Sequence, residues 1–144
     1  MTSAVKSLTW VAAGLVAGYL VWWVIIPYFE KPVDPRSIEH LRSVAAGINR
    51  SVPVMIDPET ELLPAEGAQA MLIYNYRLVS YSAAQLNPEK FAASLKQKVA
   101  QNACSRPETR EEFLKQGVTL RYSYFDKDKV HITTVDVTPA DCGF

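Results

Sequence analysis

The chain has 144 residues, and its fifteen Lys and Arg are balanced by fifteen Asp and Glu. A neutral chain of this kind carries no electrostatic footprint for nucleic acid. With an apolar N-terminal stretch set aside, about 110 residues remain, enough for one compact domain and not two.

Ser7 to Phe29 contains no charged residue. At about 1.5 Å per residue it would make roughly 34 Å of helix, enough to cross a hydrocarbon core of about 30 Å. The run is longer than the ~7–15 residues of a signal-peptide core, and no small-residue cleavage motif follows it. It therefore reads as an uncleaved single-span anchor (7–29) behind a short cytoplasmic tail (1–6). Trp10 near one end and Trp22, Trp23 and Tyr28 near the other suit the interfacial belts. Within it, Ala13, Gly14, Ala17 and Gly18 put small residues on one face, which lets two helix backbones approach and favours association with itself or with a partner helix. Local charge alone, Lys6 before the span against Lys31, Arg36 and Arg42 after it, favours a cytoplasmic domain. A long folded domain crosses largely regardless of such charge, and two cysteines fit an oxidising compartment. The expected arrangement is a bacterial inner-membrane protein with a periplasmic domain.

Residues 30–36 (EKPVDPR) form a short, stiff connector, since its two prolines disfavour helix. The domain proper is expected over 37–144. Ser37 caps a helix to Asn49, with Ile38, Leu41, Val44, Ala45 and Ile48 as its apolar stripe. Asn49-Arg50-Ser51 matches a glycosylation pattern but reads as a helix end. Val52–Leu63 is apolar and β-branched but broken by Pro53 and Pro58, so it reads as one irregular or edge strand, with Pro64–Gly67 as a turn. Ala70–Ser80 is a strand with Leu72, Tyr74, Tyr76 and Leu78 on one face and Asn75 and Arg77 on the other.

Asn87-Pro88 opens a second helix, as cap and first residue, carrying Phe91, Leu95 and Val99 at helical spacing and ending near Asn102–Ser105. Pro107–Gln116 is a shorter third helix anchored by Phe113 and Leu114 and closed at Gly117. Val118–Tyr124 and Val130–Val137 make a terminal hairpin about Asp126–Lys129. The order predicts an α+β domain, α-ββ-αα-ββ, with a mostly antiparallel sheet packed on helices on one face. A Cys104–Cys142 disulfide would fasten the C-terminal tail to the helical layer.

Catalytic motifs do not emerge. His40 and His131 pair with no recognisable nucleophile, and GxSxG, HExxH, P-loop and GxGxxG patterns are all missing from the chain. Asp126 and Asp128 resemble the opening of a calcium loop, but neither the glycine nor the closing glutamate follows. No metal or cofactor is expected. Glu59, Glu61, Glu108, Glu111 and Glu112 leave a carboxylate-based envelope hydrolase as the alternative reading. The favoured reading is binding: Asn75 and Arg77 on one strand, and Thr119, Arg121 and Ser123 on another, point away from the helices and would form a partner-binding surface if the strands are neighbours.

In size, anchor and cysteine use the layout resembles small bacterial envelope proteins, among them periplasmic immunity proteins tethered to the inner membrane. With no convergent catalytic set and a candidate binding surface on the sheet, the expected protein is a non-enzymatic protein-binding module. It would be either an accessory subunit of an envelope or secretion complex or an immunity-type inhibitor of a toxin.

Overall fold

The computed structural model describes residues 32–144; the expected anchor and its Ala13, Gly14, Ala17 and Gly18 face lie outside the described residues. Among the described residues no helix is long and apolar enough to cross a membrane. Asp34–Phe144 form one compact unit.

In chain order its main elements are α1 (Ile38–Ile48), β1 (Val54–Asp57), β2 (Thr60–Ala68), β3 (Met71–Leu78), α2 (Pro88–Ser105), α3 (Pro107–Glu112), β4 (Thr119–Phe125) and β5 (His131–Val137). The caps follow from their chemistry. Ser37 Oγ accepts from the His40 amide, and Asn87 Oδ1 from the Lys90 amide with Pro88 in the first turn. Gly117 closes the segment after α3 at φ 85°, a left-handed conformation that costs glycine little.

The five strands lie in the order β1-β2-β3-β4-β5. All neighbours are antiparallel except β3 and β4, which run parallel. A parallel pair needs a crossover, and α2 and α3 supply it.

The first half of the sheet differs from the sequence expectation. The stretch expected as one broken strand and a turn is a hairpin of two strands, so three strands precede α2 where two were expected. Pro58 sits in the tight turn between β1 and β2, and Pro64 falls inside β2 where the register slips between Leu63 and Glu66. A proline is tolerated there because the ladder is already interrupted. The amide of Asn49, at the end of α1, repairs the gap: its Oδ1 accepts from the Ala65 N–H at 2.7 Å and its Nδ2 donates to the Ala65 carbonyl at 3.0 Å.

All helices pack on one sheet face. Leu41 and Ala45 of α1, Ala103 of α2, and Phe113, Leu114 and Val118 meet Leu72, Leu120 and Val137 in the main core. Over β2, α1 lies so close that a Cβ on Gly67 would run into the backbone of Leu41 and Arg42. At the opposite edge, α2 packs over β5 and is tied there. Lys96 Nζ donates to the Asp136 carbonyl and to the Asp141 carboxylate, and Cys104 is disulfide-bonded to Cys142 with Cα atoms 5.4 Å apart.

Candidate functional site

With α1 over β2 and α2 over β5, part of the inner face above β3 and β4 has no helix on it. Period-2 alternation sends Tyr74 and Tyr76 of β3, and Tyr122 and Tyr124 of β4, to that face. The parallel register sets Tyr74 beside Tyr122 and Tyr76 beside Tyr124. The rings form one continuous stack. Centroid separations are 5.5 Å from Tyr74 to Tyr122, 6.2 Å from Tyr122 to Tyr76 and 5.4 Å from Tyr76 to Tyr124. Phe91 of α2 closes the series edge-on against Tyr124 at 5.6 Å. Aromatic pairs at such distances are each worth about 0.5–1.5 kcal/mol beyond their buried area, so the floor is stiff.

Three rings of this stack, Tyr76, Tyr122 and Tyr124, floor a groove of about 590 Å³. Phe91, Leu95, Lys98, Val99 and Asn102 of α2 form one bank; Ile56, Asp57, Glu59 and Thr60 around the β1–β2 turn form the other. Ile56 is 53% exposed, with Val54 and Met55 of the same strand also open, so this bank carries bare apolar surface. Among the described residues none of the four hydroxyls of the stack has a protein hydrogen-bond partner, and none is sealed from solvent. Burial pushes all four phenols up, Tyr124 to about 12, while the Arg106 charge pulls the other three back a little. They remain neutral hydroxyls, able to donate, throughout the physiological range.

The rim charges are free in the same sense. Among the described residues Lys98 and Arg106 on the α2 side, and Asp57 and Glu59 on the hairpin side, enter no ion pair. Asp57 accepts from the Glu59 amide at 2.8 Å, which lowers its pKa, and Glu59 accepts from the Tyr81 hydroxyl at 3.3 Å.

The outer face differs. β3 and β4 are neighbours, and Asn75, Arg77, Thr119, Arg121 and Ser123 share that side of the sheet, with Asn75 directly opposite Ser123. Most of their polar groups are already occupied. Arg77 holds Glu61 across the β2–β3 ladder at 2.8 Å. Arg121 grips Asp136 of β5 with two bonds of 2.8 and 2.7 Å, which lowers the aspartate pKa and raises that of the arginine. Asn75 Nδ2 donates to the Pro64 carbonyl and to Glu66.

The groups weighed for catalysis do not converge. Glu61 is spent on Arg77; Glu111 is bonded to Arg110 and Lys115. His131 Nε2 lies 2.9 Å from Thr134 Oγ1, and His40 sits on α1. Among the described residues no group of three His, Cys, Asp or Glu is placed to hold a metal ion. Asp126 is buried because its carboxylate accepts the amides of Ala83, Asp128 and Val130, which lowers its pKa and pins the β4–β5 turn. The tyrosine floor was overlooked as a site by sequence reasoning, which read it as plain core-facing surface. The available signal was the residue type: four tyrosines on a face where leucine or valine would pack without leaving a hydroxyl to satisfy.

No protein-family model and no curated protein matches the chain. Solved structures do. A candidate secreted protein of Pseudomonas aeruginosa superposes with a TM-score of 0.63 at 19% identity, covering 73% of this chain and 91% of that one. The type II secretion system pilotin EpsS of Vibrio vulnificus gives 0.59 at 14% identity, covering 74% and 92%. The type II secretion system pilotin AspS of Vibrio cholerae gives 0.53 at 14% identity, covering 73% and 94%. At these identities the likeness establishes a shared fold.

Proposed function

We propose that this domain is a non-enzymatic accessory subunit of a bacterial secretion or other envelope assembly, and that its groove seats an amphipathic helix of another envelope protein. The observation that carries the reading is the uncovered part of the inner face. A two-layer α+β domain covers its sheet with helices, yet over β3 and β4 the covering is interrupted, and the half-buried floor of the groove is aromatic and rigid, with hydroxyls that have no hydrogen-bond partner among the described residues. An apolar helix face laid between α2 and the β1–β2 hairpin would complete the layer, in the helix-in-groove mode of recognition. The fold shared with two secretion-system pilotins supports the accessory-subunit reading over an immunity-type inhibitor. The carboxylates that a hydrolase would need are dispersed or paired. The apolar run Ser7–Phe29 supports a tether to the inner membrane, and the Cys104–Cys142 disulfide supports a domain on the periplasmic side. Tethering raises the local concentration of the module for a membrane-bound partner.

The outer set of Asn75, Arg77, Thr119, Arg121 and Ser123 is the weaker proposal for the same contact, because its two guanidinium groups already have partners. Site-specific photocrosslinking in cells separates the two. A photoreactive residue at Leu95 or Ile56 is expected to capture one envelope protein, and one at Arg121 or Thr134 is expected to capture none. Capture from the outer positions alone would overturn the groove reading.

A further inference from the structure

We infer that the groove selects its occupant by charge as well as by shape: the helix that fills it carries carboxylates along the flank facing α2 and cations along the flank facing the β1–β2 turn. This rests on the proposal that the groove seats a helix. Two observations carry it. First, the banks have opposite sign. Lys98 lines the α2 bank, with Arg106 at the end of the same helix, and Asp57 and Glu59 line the hairpin bank; among the described residues none of the four has an ion-pair partner. On the outer face, by contrast, the arginines of β3 and β4 are closed into pairs with Glu61 and Asp136. Second, the tyrosine rings are stacked at interplanar angles of 10–24°. Their faces are therefore spent on one another, and the floor offers ring edges and hydroxyl donors. Sugars and quaternary ammonium groups are recognised by ring faces; ring edges, being the positive side of the quadrupole, together with hydroxyl donors suit apolar side chains and acceptor oxygens.

The four charges are exposed, so each pair adds only modestly to affinity. Together they favour one direction of the helix along the groove. The reversed helix would set carboxylates against Asp57 and Glu59 and cations against Lys98 and Arg106, and like charges across an interface suppress wrong pairings.

The test uses three synthetic peptides that share one apolar stripe. One has Glu along one flank and Lys along the other. The second has the same composition with Glu and Lys alternating on both flanks. The third has Lys on both flanks. Binding to the folded domain is measured by fluorescence anisotropy at low and high salt. The segregated peptide is expected to bind about tenfold tighter than the alternating one at low salt, a difference of about 1.4 kcal/mol, and to lose that advantage at high salt. The double variant Lys98→Glu, Arg106→Glu, checked for folding by circular dichroism, is expected to shift the preference to the all-Lys peptide. Equal binding of the segregated and alternating peptides, with Leu95→Arg abolishing both, would overturn the charge inference and leave the groove reading standing. Binding that survives Leu95→Arg, or no binding of any peptide, would overturn both.

Discussion

The two faces of the sheet treat their polar groups in opposite ways. On the outer face polar groups satisfy one another: Arg77 with Glu61, Arg121 with Asp136, Asn75 with the Pro64 carbonyl and Glu66. In the groove the aromatic rings satisfy one another through stacking, while among the described residues their hydroxyls have no protein hydrogen-bond partner and the nearby charges no ion-pair partner. A surface whose polar groups are paired gains little by meeting a partner, because each pair must be broken and resolvated first. A surface with stiff apolar area and free donors gains on contact and loses little ordering entropy. Counting arginines on a strand is therefore a poor guide to a binding face unless their partners are known.

The comparison breaks first where the groove's α2 bank is fastened. The Cys104–Cys142 bond closes a loop of 38 residues from the end of α2 to the C-terminal tail. The chain-entropy model puts its removal at about 3–4 kcal/mol. For a domain of this size that is a fall in melting temperature of roughly 12 °C or more. Cys104→Ser with Cys142→Ser, followed by thermal melting and peptide binding, is expected to weaken both stability and the groove. Loss of stability with peptide affinity unchanged would show that the bond does not hold the bank in place.

Next in size is Gly67→Ala. The groove is open because α2 and α1 stand apart, while α1 and β2 touch with no room for a methyl group. Forcing one in should cost about 3 kcal/mol by displacing α1, read as a lower urea midpoint. The outer face should survive intact, since its ion pairs join β2 to β3 and β4 to β5 without α1. Smaller again is the Arg121–Asp136 pair, which is more than a third exposed on both sides. A double-mutant cycle to alanine is expected to give a coupling below about 1 kcal/mol, bidentate geometry notwithstanding. A larger value would make the outer face a structural brace and would sharpen the case against it as a docking surface.

Much of the fold was legible because local chemistry and final structure agree. Ser37, Asn87-Pro88 and Gly117 mark helix ends by mechanisms that act within a turn, and the alternation in Met71–Leu78 and Thr119–Phe125 survives intact. The β1–β2 hairpin was hidden because Pro58 and Pro64, read as strand breakers, sit at a turn and at a register slip where neither is penalised. The parallel pairing of β3 with β4 was hidden because four strands counted as two hairpins leave no reason for a crossover. The helical segment between Leu78 and Thr119 was the clue that the flanking strands can lie side by side and parallel. The groove was least legible of all. Its floor is defined by which strand neighbours which and by where α1 and α2 leave a gap, and neither is encoded in the spacing of any one element.

The smallest expected effect lies at the second fastening of α2. Asp141 accepts from the Thr138 amide at 2.7 Å and from Lys96 at 2.9 Å, and these contacts, the Thr138 amide first, hold its pKa down to about 2, against an ordinary value of 3.8. Because the folded-state value is the lower one, the carboxylate contributes stability that is fully present above about pH 4, the unfolded-state range, and is lost as the pH falls towards 2. Asp136, whose pKa is lowered by Arg121, acts in the same direction on the other face. Asp141→Asn should therefore flatten part of the acid-side slope of stability, measured as the urea midpoint between pH 2 and 5, and change it little between pH 7 and 8 apart from a constant offset. Arg121→Ala should flatten another part of the same slope. If the two losses add, the faces unfold in acid as independent supports of one sheet. If Asp141→Asn alone removes the slope, the α2 fastening is the contact that acid releases first. Peptide affinity should then fall with pH before the outer pairs are disturbed, because the bank carrying Leu95 and Lys98 would loosen while Arg121 still held Asp136.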